Sequence, residues 1–347
     1  MLGHKSLLYP RVAAYSAVWR RFRCLPGTGR LLHFQASVRH QSRYVMYFRP
    51  IGRLAGLSAA TIIEKVSTAS CVLSVDVEDY FQVEAFARCV SREEWDQYPS
   101  RVVENTQRLL DLFDEERSMG TFFVLGWVAD KFPQLVREIQ KRGHELACHS
   151  FWHRPVFTLN EQTFRQDLRD ARTAIEQAAG ERIYGYRAPS WSITRKSLWA
   201  LDILAEEGFT YDSSIYPIRH DLYGIPDANR VPYQIQGANG GNLTEFPPST
   251  VQICGTNFPA AGGGYLRILP LWYTEWALSR LSQETGQTPV VYLHPWEVDP
   301  QQPRINAAWK SRFRHYTNLQ SMEPRLRHLL RTRPFQPFRN MVQLTAV

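Results

Sequence analysis

The sequence predicts an α/β fold built on a parallel sheet or barrel, on two observations. From Cys71 onward, short apolar runs of strand length alternate with stretches of helical period, the pattern of repeated strand–helix units. Ionisable residues then collect just after those runs: Asp76 and Glu78, His149 and His153, Arg187, Asp212, and His294. In parallel α/β folds that end of the sheet carries the active site. Five strand ends converging on ionisable side chains is more than composition alone would arrange.

Cys71-Val72-Leu73-Ser74-Val75 is the first strand, and it runs into the acidic group Asp76, Glu78, Asp79. Residues 102–117 have helical spacing, with Val102, Leu109, Leu112 and Phe113 on one inner stripe. Gly120 punctuates, and Thr121-Phe122-Phe123-Val124-Leu125 reads as a buried strand. Residues 130–142 read as a helix, with Pro133 tolerable in its first turn and Gly143 as its stop. Residues 145–149 form the next strand. Cys148 within it reads as a small buried hydrophobe rather than a ligand beside His149, because neighbours on a strand point to opposite faces. His144, at the turn before that strand, reads as structural. Asn160 is an N-cap for a helix to Ala179, ended by Gly180. A strand at 184–186, a helix over 194–207 with Gly208 after it, and a strand at 209–212 continue the alternation. Residues 221–270 are rich in Gly and Pro and read as an irregular loop insertion. Within it Gly262-Gly263-Gly264 lacks the strand-before, helix-after context of a phosphate loop and reads as a flexible turn. Pro289-Val290-Val291-Tyr292-Leu293 is the last strand, ending at His294.

Composition bounds the partners. The chain has 347 residues, is 44% hydrophobic and carries a net charge of +8, as a folded protein of one large or two ordinary domains does. The charge is unevenly placed. Residues 1–66 hold 11 Lys/Arg and a single acid, Glu64, whereas the rest of the chain is close to neutral at −2. The first 66 residues therefore read as a basic extension, either a disordered tail or a start codon assigned too far upstream. Residues 67–347 are the folded part. The longest uncharged apolar stretch of the extension, 54–63, is about half the ~20 residues a membrane span needs. No secretory signal order is present. A cytoplasmic location, or the cytoplasmic face of a membrane by peripheral association, is the expectation. Zinc-finger spacing, an RRM signature and a basic zipper are all missing, so no nucleic-acid partner is expected. Five cysteines, odd in number and without a CxxC, exclude a disulfide framework and a zinc ribbon.

The strand-end residues define a chemistry. His149 and His153 are four apart and would share a face on a helical turn. A carboxylate from another strand end completes two imidazoles and one carboxylate, the donor set of a catalytic rather than a structural divalent site. Asp76 and Glu78 are two apart and share a strand face, so one can bind metal while the other acts as base.

In their order, Ser74-Val75-Asp76-Val77-Glu78-Asp79, His149-Ser150-Phe151-Trp152-His153, Arg187-Ala188-Pro189-Ser190-Trp191, Asp212-Ser213-Ser214 and Leu293-His294-Pro295 resemble the polysaccharide deacetylases (NodB-homology, carbohydrate esterase 4). The match spans about residues 70–300. The DVEDYFQV opening and the LHPWE close are similar to the deacetylases of bacterial exopolysaccharide and exosortase loci. The resemblance implies a distorted (β/α) barrel, often of seven strands, and hydrolysis of N-acetyl groups on N-acetylhexosamine units of an N-acetylated polysaccharide or oligosaccharide. It implies Asp76 as base, Arg187 as the residue that orients it, and His294 as the acid that protonates the leaving amine. His149 and His153 are the implied metal ligands. The backbone N–H near Ser190 is implied to face the oxyanion, while Trp191 either walls the acetyl pocket or packs in the core. The metal is expected to be Zn2+, with Co2+, Ni2+, Fe2+ or Mn2+ suited by the same donors.

Two departures from the family pattern matter. Val77 separates Asp76 from Glu78 where the usual opening has adjacent aspartates, which makes Glu78 the expected third ligand and Asp79 its alternative. Asp212-Ser213-Ser214 lacks the common Asp-Trp pair, so Asp212 either tunes His294 or ends its strand. Trp296 and Glu297 either contact sugar or pack. Two other readings stand beside the deacetylase. One is a hydrolase of small cyclic amides or other C–N bonds on the same fold. The other is a non-catalytic glycan-binding or assembly protein, which would not need both Asp76 and His294.

Overall fold

Strand β1 (Cys71–Val77) is buried along all seven of its residues, as a strand needs to be when it has neighbours on both edges and layers on both faces. The computed structural model that shows this describes residues 70–237 and 241–345, so the basic extension and the two readings of it lie outside the described residues. β2 (Thr121–Val124) runs parallel to β1, followed by β3 (Glu145–Cys148), β4 (Gly185–Tyr186) and β5 (Tyr211–Asp212), each parallel to the one before. β6 (Tyr233–Gln236) and β7 (Asn242–Glu245) form an antiparallel hairpin, and β7 continues the sheet parallel to β5. β8 (Thr250–Ile253) and β9 (Thr256–Pro259) pair only with each other. β10 (Val290–Leu293) returns along the free edge of β1, and β11 (Phe335–Gln336) joins the start of β1. The path β10-β1-β2-β3-β4-β5-β7 therefore holds the seven parallel strands expected of a distorted (β/α) barrel, curled and with helices outside it.

Helix α1 (Val102–Glu115) buries the stripe read from its spacing, Val102, Leu109, Leu112 and Phe113. The span 130–142 is two helices, α2 (Gly126–Lys131) and α3 (Pro133–Lys141). Proline has no N–H to extend α2 and is instead the first residue of α3. In α4 (Glu161–Ala179), Asn160 Oδ1 accepts the Thr163 N–H at 2.8 Å, a cap worth about 1 kcal/mol. Gly180, at φ 75°, ends it. α5 (Trp199–Glu206) begins later than its pattern, because Thr194 donates its N–H to Ser197 Oγ at 2.9 Å in a turn ahead of the helix.

The stretch 221–270 is more ordered than its composition suggests, holding β6 to β9 and the short helix α6 (Gly263–Ile268). Some of its glycines serve close approach. A Cβ on Gly262, whose φ is 103°, would fall 2.3 Å from Cδ1 of Tyr292 on β10. The glycine triplet is thus the packed entry to α6 and not a free turn. α7 (Leu271–Thr285), α8 (Trp309–Tyr316), α9 (Met322–Thr332) and α10 (Phe338–Thr345) complete the order. No helix among the described residues is long and apolar enough to cross a membrane.

Candidate active site

The parallel strands aim their C-terminal ends at one cavity of about 180 Å³, lined by Asp76, Glu78, Val83, Glu84, Ala85, His149, His153, Ala188, Ser190, Trp191, His294 and Trp296. Every site residue read from the sequence either lines this cavity or touches a residue that does, except Asp79 and Asp212.

Asp76 leaves β1 toward the cavity and is fixed from behind. Arg187, fully buried after β4, donates Nη1 to Asp76 Oδ1 at 2.6 Å and to Ser74 Oγ at 3.0 Å. Its Nε and Nη2 are taken by Ser213, through the carbonyl at 3.2 Å and Oγ at 3.1 Å. The guanidinium also lies 4.1 Å from the centre of the Phe123 ring. With all its donor edges occupied, Arg187 holds one carboxylate oxygen of Asp76 in place. The other, Oδ2, lies 3.8 Å from His294 Nε2.

Glu78, one residue beyond β1, meets the two histidines. Its Oε2 lies 2.7 Å from His153 Nε2. One donor atom from each of Glu78, His149 and His153 falls within 4.8 Å of the others, and all three residues are buried. Burial opposes charge on Glu78, but the adjacent His153, His294 and His149 pull its carboxyl down to about 2. Burial pushes His149 down to about 4, and its Nδ1 is 2.8 Å from the Arg187 carbonyl. That contact leaves the far edge of an uncharged ring for a ligand. His153 Nδ1 is buried without a partner. A carboxylate and two imidazoles converging in a buried site fit a divalent metal ion.

The histidine pair is not on a helical turn. Ser150 (φ 71°) and His153 (φ 50°) are left-handed, and a clamped loop brings the rings 5.3 Å apart. Asp167 of α4 accepts the N–H groups of Phe151 and Trp152 at 2.8 and 3.4 Å. Arg92 donates to the carbonyls of Trp152 and His153 at 2.6 and 3.1 Å. Spacing alone does not reveal these clamps, because Arg92 lies 60 residues from Trp152 in sequence.

Asp79 is turned out of the group. Its Oδ2 accepts Ser100 Oγ at 2.6 Å and the N–H groups of Arg101 and Val102 at 2.9 and 3.1 Å, capping the start of α1. Burial pushes its carboxyl up against those hydrogen bonds. Of the two carboxylates weighed as third ligand, Glu78 faces the histidines.

Opposite Asp76, His294 follows β10. Its ring stacks on Trp296 at 5.0 Å, and Trp296 donates Nε1–H to Glu78 Oε1 at 3.2 Å. Burial alone would depress His294, but Glu297, Glu78 and Asp76 around it raise it to about 9. Ser190 (φ 55°) and Trp191 (φ 54°) form the remaining wall in a left-handed bend. Trp191 is held edge-on by Tyr292 at 4.8 Å and Tyr216 at 5.3 Å. Asp212 does not reach His294. Its Oδ1 accepts Ser214 Oγ at 2.5 Å, and its carboxyl pairs with that of Glu245. His144 is structural, accepting the Gly120 N–H at 3.2 Å between the rings of Phe113 and Phe122.

Comparison with known proteins agrees with this fold. Residues 94–211 match the polysaccharide deacetylase family, and residues 213–343 match a domain of unknown function, DUF3473. Over residues 94–211 the chain is similar to the polysaccharide deacetylases. It is 30% identical over 101 residues to a peptidoglycan-N-acetylglucosamine deacetylase of Bacillus cereus, covering 29% of this chain and 37% of that one. It is 32% identical over 100 residues to a chitooligosaccharide deacetylase of Sinorhizobium fredii, covering 28% of this chain and 44% of that one. The matches thus span less than half the length of each relative. The fold is similar to that of a Mycobacterium smegmatis protein assigned as a polysaccharide deacetylase, with TM-score 0.54 and 21% identity over 81% of this chain and 92% of that one. His149, His153 and Arg187 fall in the first matched segment and His294 in the second, while Asp76 and Glu78 precede both.

Proposed function

We propose that the chain is a metal-dependent hydrolase that removes N-acetyl groups from N-acetylhexosamine units of a bacterial glycan. One observation carries this reading: a single cavity holds three buried metal-type donors, a carboxylate fixed by an arginine, and an imidazole opposite it. The DUF3473 match supports an exopolysaccharide as the glycan.

Glu78, His149 and His153 would hold the ion, with Zn2+ the first expectation from its ligand types. Such an ion, when bound, supplies Lewis acidity toward the acetamide oxygen and makes a nearby water more acidic. Asp76, oriented by Arg187, takes a proton from the attacking water through Oδ2 as the C–O bond forms. The Ser190 N–H faces the resulting oxyanion. His294 Nε2 gives its proton to the amide nitrogen as the C–N bond breaks, and acetate and a free amino sugar leave. A cavity of about 180 Å³ takes an acetamido group while the sugar ring rests at its mouth, with Trp191 against the methyl.

Acetate release from N-acetylated oligosaccharides, with and without chelator, tests this. Release that chelator abolishes and added metal restores is the expected result. Turnover of cyclic amides with none of any N-acetylated glycan would transfer the site to the small-amide reading. Glycan binding without hydrolysis under every metal would make it a binding protein.

A further inference from the structure

His294 faces a buried ion pair formed by Glu297, the last residue of the LHPWE close, and Arg267. Glu297 and Arg267 are 0% and 1% exposed. Glu297 Oε1 lies 3.6 Å from His294 Nδ1 and 3.3 Å from Arg267 Nε, while its Oε2 accepts the backbone N–H of His294 at 3.4 Å. Arg267, in α6, spends its other nitrogens on the carbonyls of Arg314, His315 and Thr317 at 3.0, 3.1 and 2.5 Å. Two fully buried charges are a costly way to fill space, since hydrophobic residues of similar volume are often as stable or more so. The pair therefore calls for a role besides packing.

The geometry supplies one. Trp296, stacked within 20° on the His294 ring and itself stacked on His315 at 4.0 Å, fixes the plane of the imidazole. Stacking cannot decide which edge faces the cavity, because a half-turn about the ring axis keeps the plane and exchanges a nitrogen for a C–H. A carboxylate at Nδ1 does decide it, as a buried carboxylate orients the imidazole of a catalytic triad. Nδ1 is turned toward Glu297, an ion-pair approach of 3.6 Å and not a formed hydrogen bond, and Nε2 faces Glu78 and Asp76 at 3.7 and 3.8 Å. Asp212, the other strand-end carboxyl considered for this task, is committed to Glu245 and Ser214. We infer that Glu297, anchored by Arg267, is a positioning residue that presents Nε2 of His294 to the reacting group. The inference rests on the deacetylase reading only for what Nε2 then does.

The test replaces both charges together, Glu297→Leu with Arg267→Met, so that neither is left buried alone, and adds Glu297→Gln as a second variant. Two acetyl substrates are compared. An N-acetylglucosamine oligosaccharide needs a proton on its departing nitrogen, whereas 4-nitrophenyl acetate releases a phenolate that does not. The double variant should melt no lower than the wild type yet lose about 10²-fold in kcat on the amide, the lower end of what a placed proton donor contributes, with ester hydrolysis falling far less. Equal losses on both substrates, or no loss on the amide, would overturn the inference. The ring 15N spectrum of His294 in the metal-free protein reads the same point without activity. The protonation and ring environment of both nitrogens should change in both variants, and an unchanged spectrum would also overturn it. If the wild type hydrolyses no amide, the deacetylase reading fails while the spectrum still decides the positioning role.

Discussion

Strands β1 and β5 each lead into a buried aspartate, and the two carboxyl groups behave in opposite ways. Asp76 meets a cation, the Arg187 guanidinium at 2.6 Å, and opens onto the cavity. Asp212 meets a second carboxyl group, Glu245, together with the Ser214 hydroxyl, and is not among the residues that line the cavity. Residue type, burial and place at a strand end are the same. The partner differs, and it leaves one carboxylate facing the cavity as the proposed base and the other as a brace, because Ser213, next to Asp212, receives two of the Arg187 donors that steady Asp76. A strand-end carboxylate in this fold acquires its task from the charge it faces.

The most direct way to break the comparison is Asp76→Asn. Removing the proposed base while keeping the shape should lower kcat by about 10² to 10⁴-fold, with metal content by mass spectrometry unchanged. Metal loss instead would mean that Asp76 is a ligand and that base and ligand roles are exchanged. Glu78→Gln comes next. A metal at about 100 times its Kd should stabilise the wild type by ~2.7 kcal/mol, and this variant should lose most of that shift in thermal melts. Asp79→Ala sharpens the contrast between neighbours. It removes a carboxylate that takes three hydrogen bonds at the start of α1, so unfolding free energy should fall by about 2 kcal/mol while metal affinity stays the same.

These contrasts mark what the sequence made legible. Asp76, Glu78, His149, His153, Arg187 and His294 could be read because each sits at or just past the end of a strand, where topology alone brings side chains together. Glu78 is the expected ligand, but spacing alone does not exclude Asp79. The choice depends on where the chain turns after Val77, and Asp79 is drawn aside by N–H groups 22 and 23 residues away. The partners that hold the site were not legible either. Arg92 and Asp167 grip the histidine loop from 15 to 61 residues away, and Arg267 reaches Glu297 across 30. No local period links such pairs. The stretch 221–270 looked irregular because its Gly and Pro are turn formers, yet Gly262 and Gly263 are there to let the backbone lie against Tyr292.

The smallest expected effect bears on Asp212 itself. Burial and mutual repulsion push the Glu245 carboxyl well above its usual range and raise Asp212 as well, so the folded protein binds a proton that the unfolded chain releases near pH 4. The pair's contribution to stability is therefore greatest below that pH and declines as pH rises through the raised folded values. Glu245→Gln imitates the protonated state. Its Oε1 can still accept the Ser214 and Ile215 N–H groups that Glu245 accepts at 3.2 and 2.9 Å. Its amide then donates to Asp212, whose Oδ2 lacks a partner. The variant should match the wild type near pH 5 and exceed it near pH 8 by about 1 kcal/mol, roughly what one pKa unit is worth. Comparing the two proteins at each pH cancels the opposite slopes from Glu78, lowered by its neighbouring histidines against burial, and His149, lowered by burial. A difference that stays flat with pH would mean that the two carboxyl groups do not share a proton, and that the brace behind Arg187 is held by Ser213 and Ser214 alone.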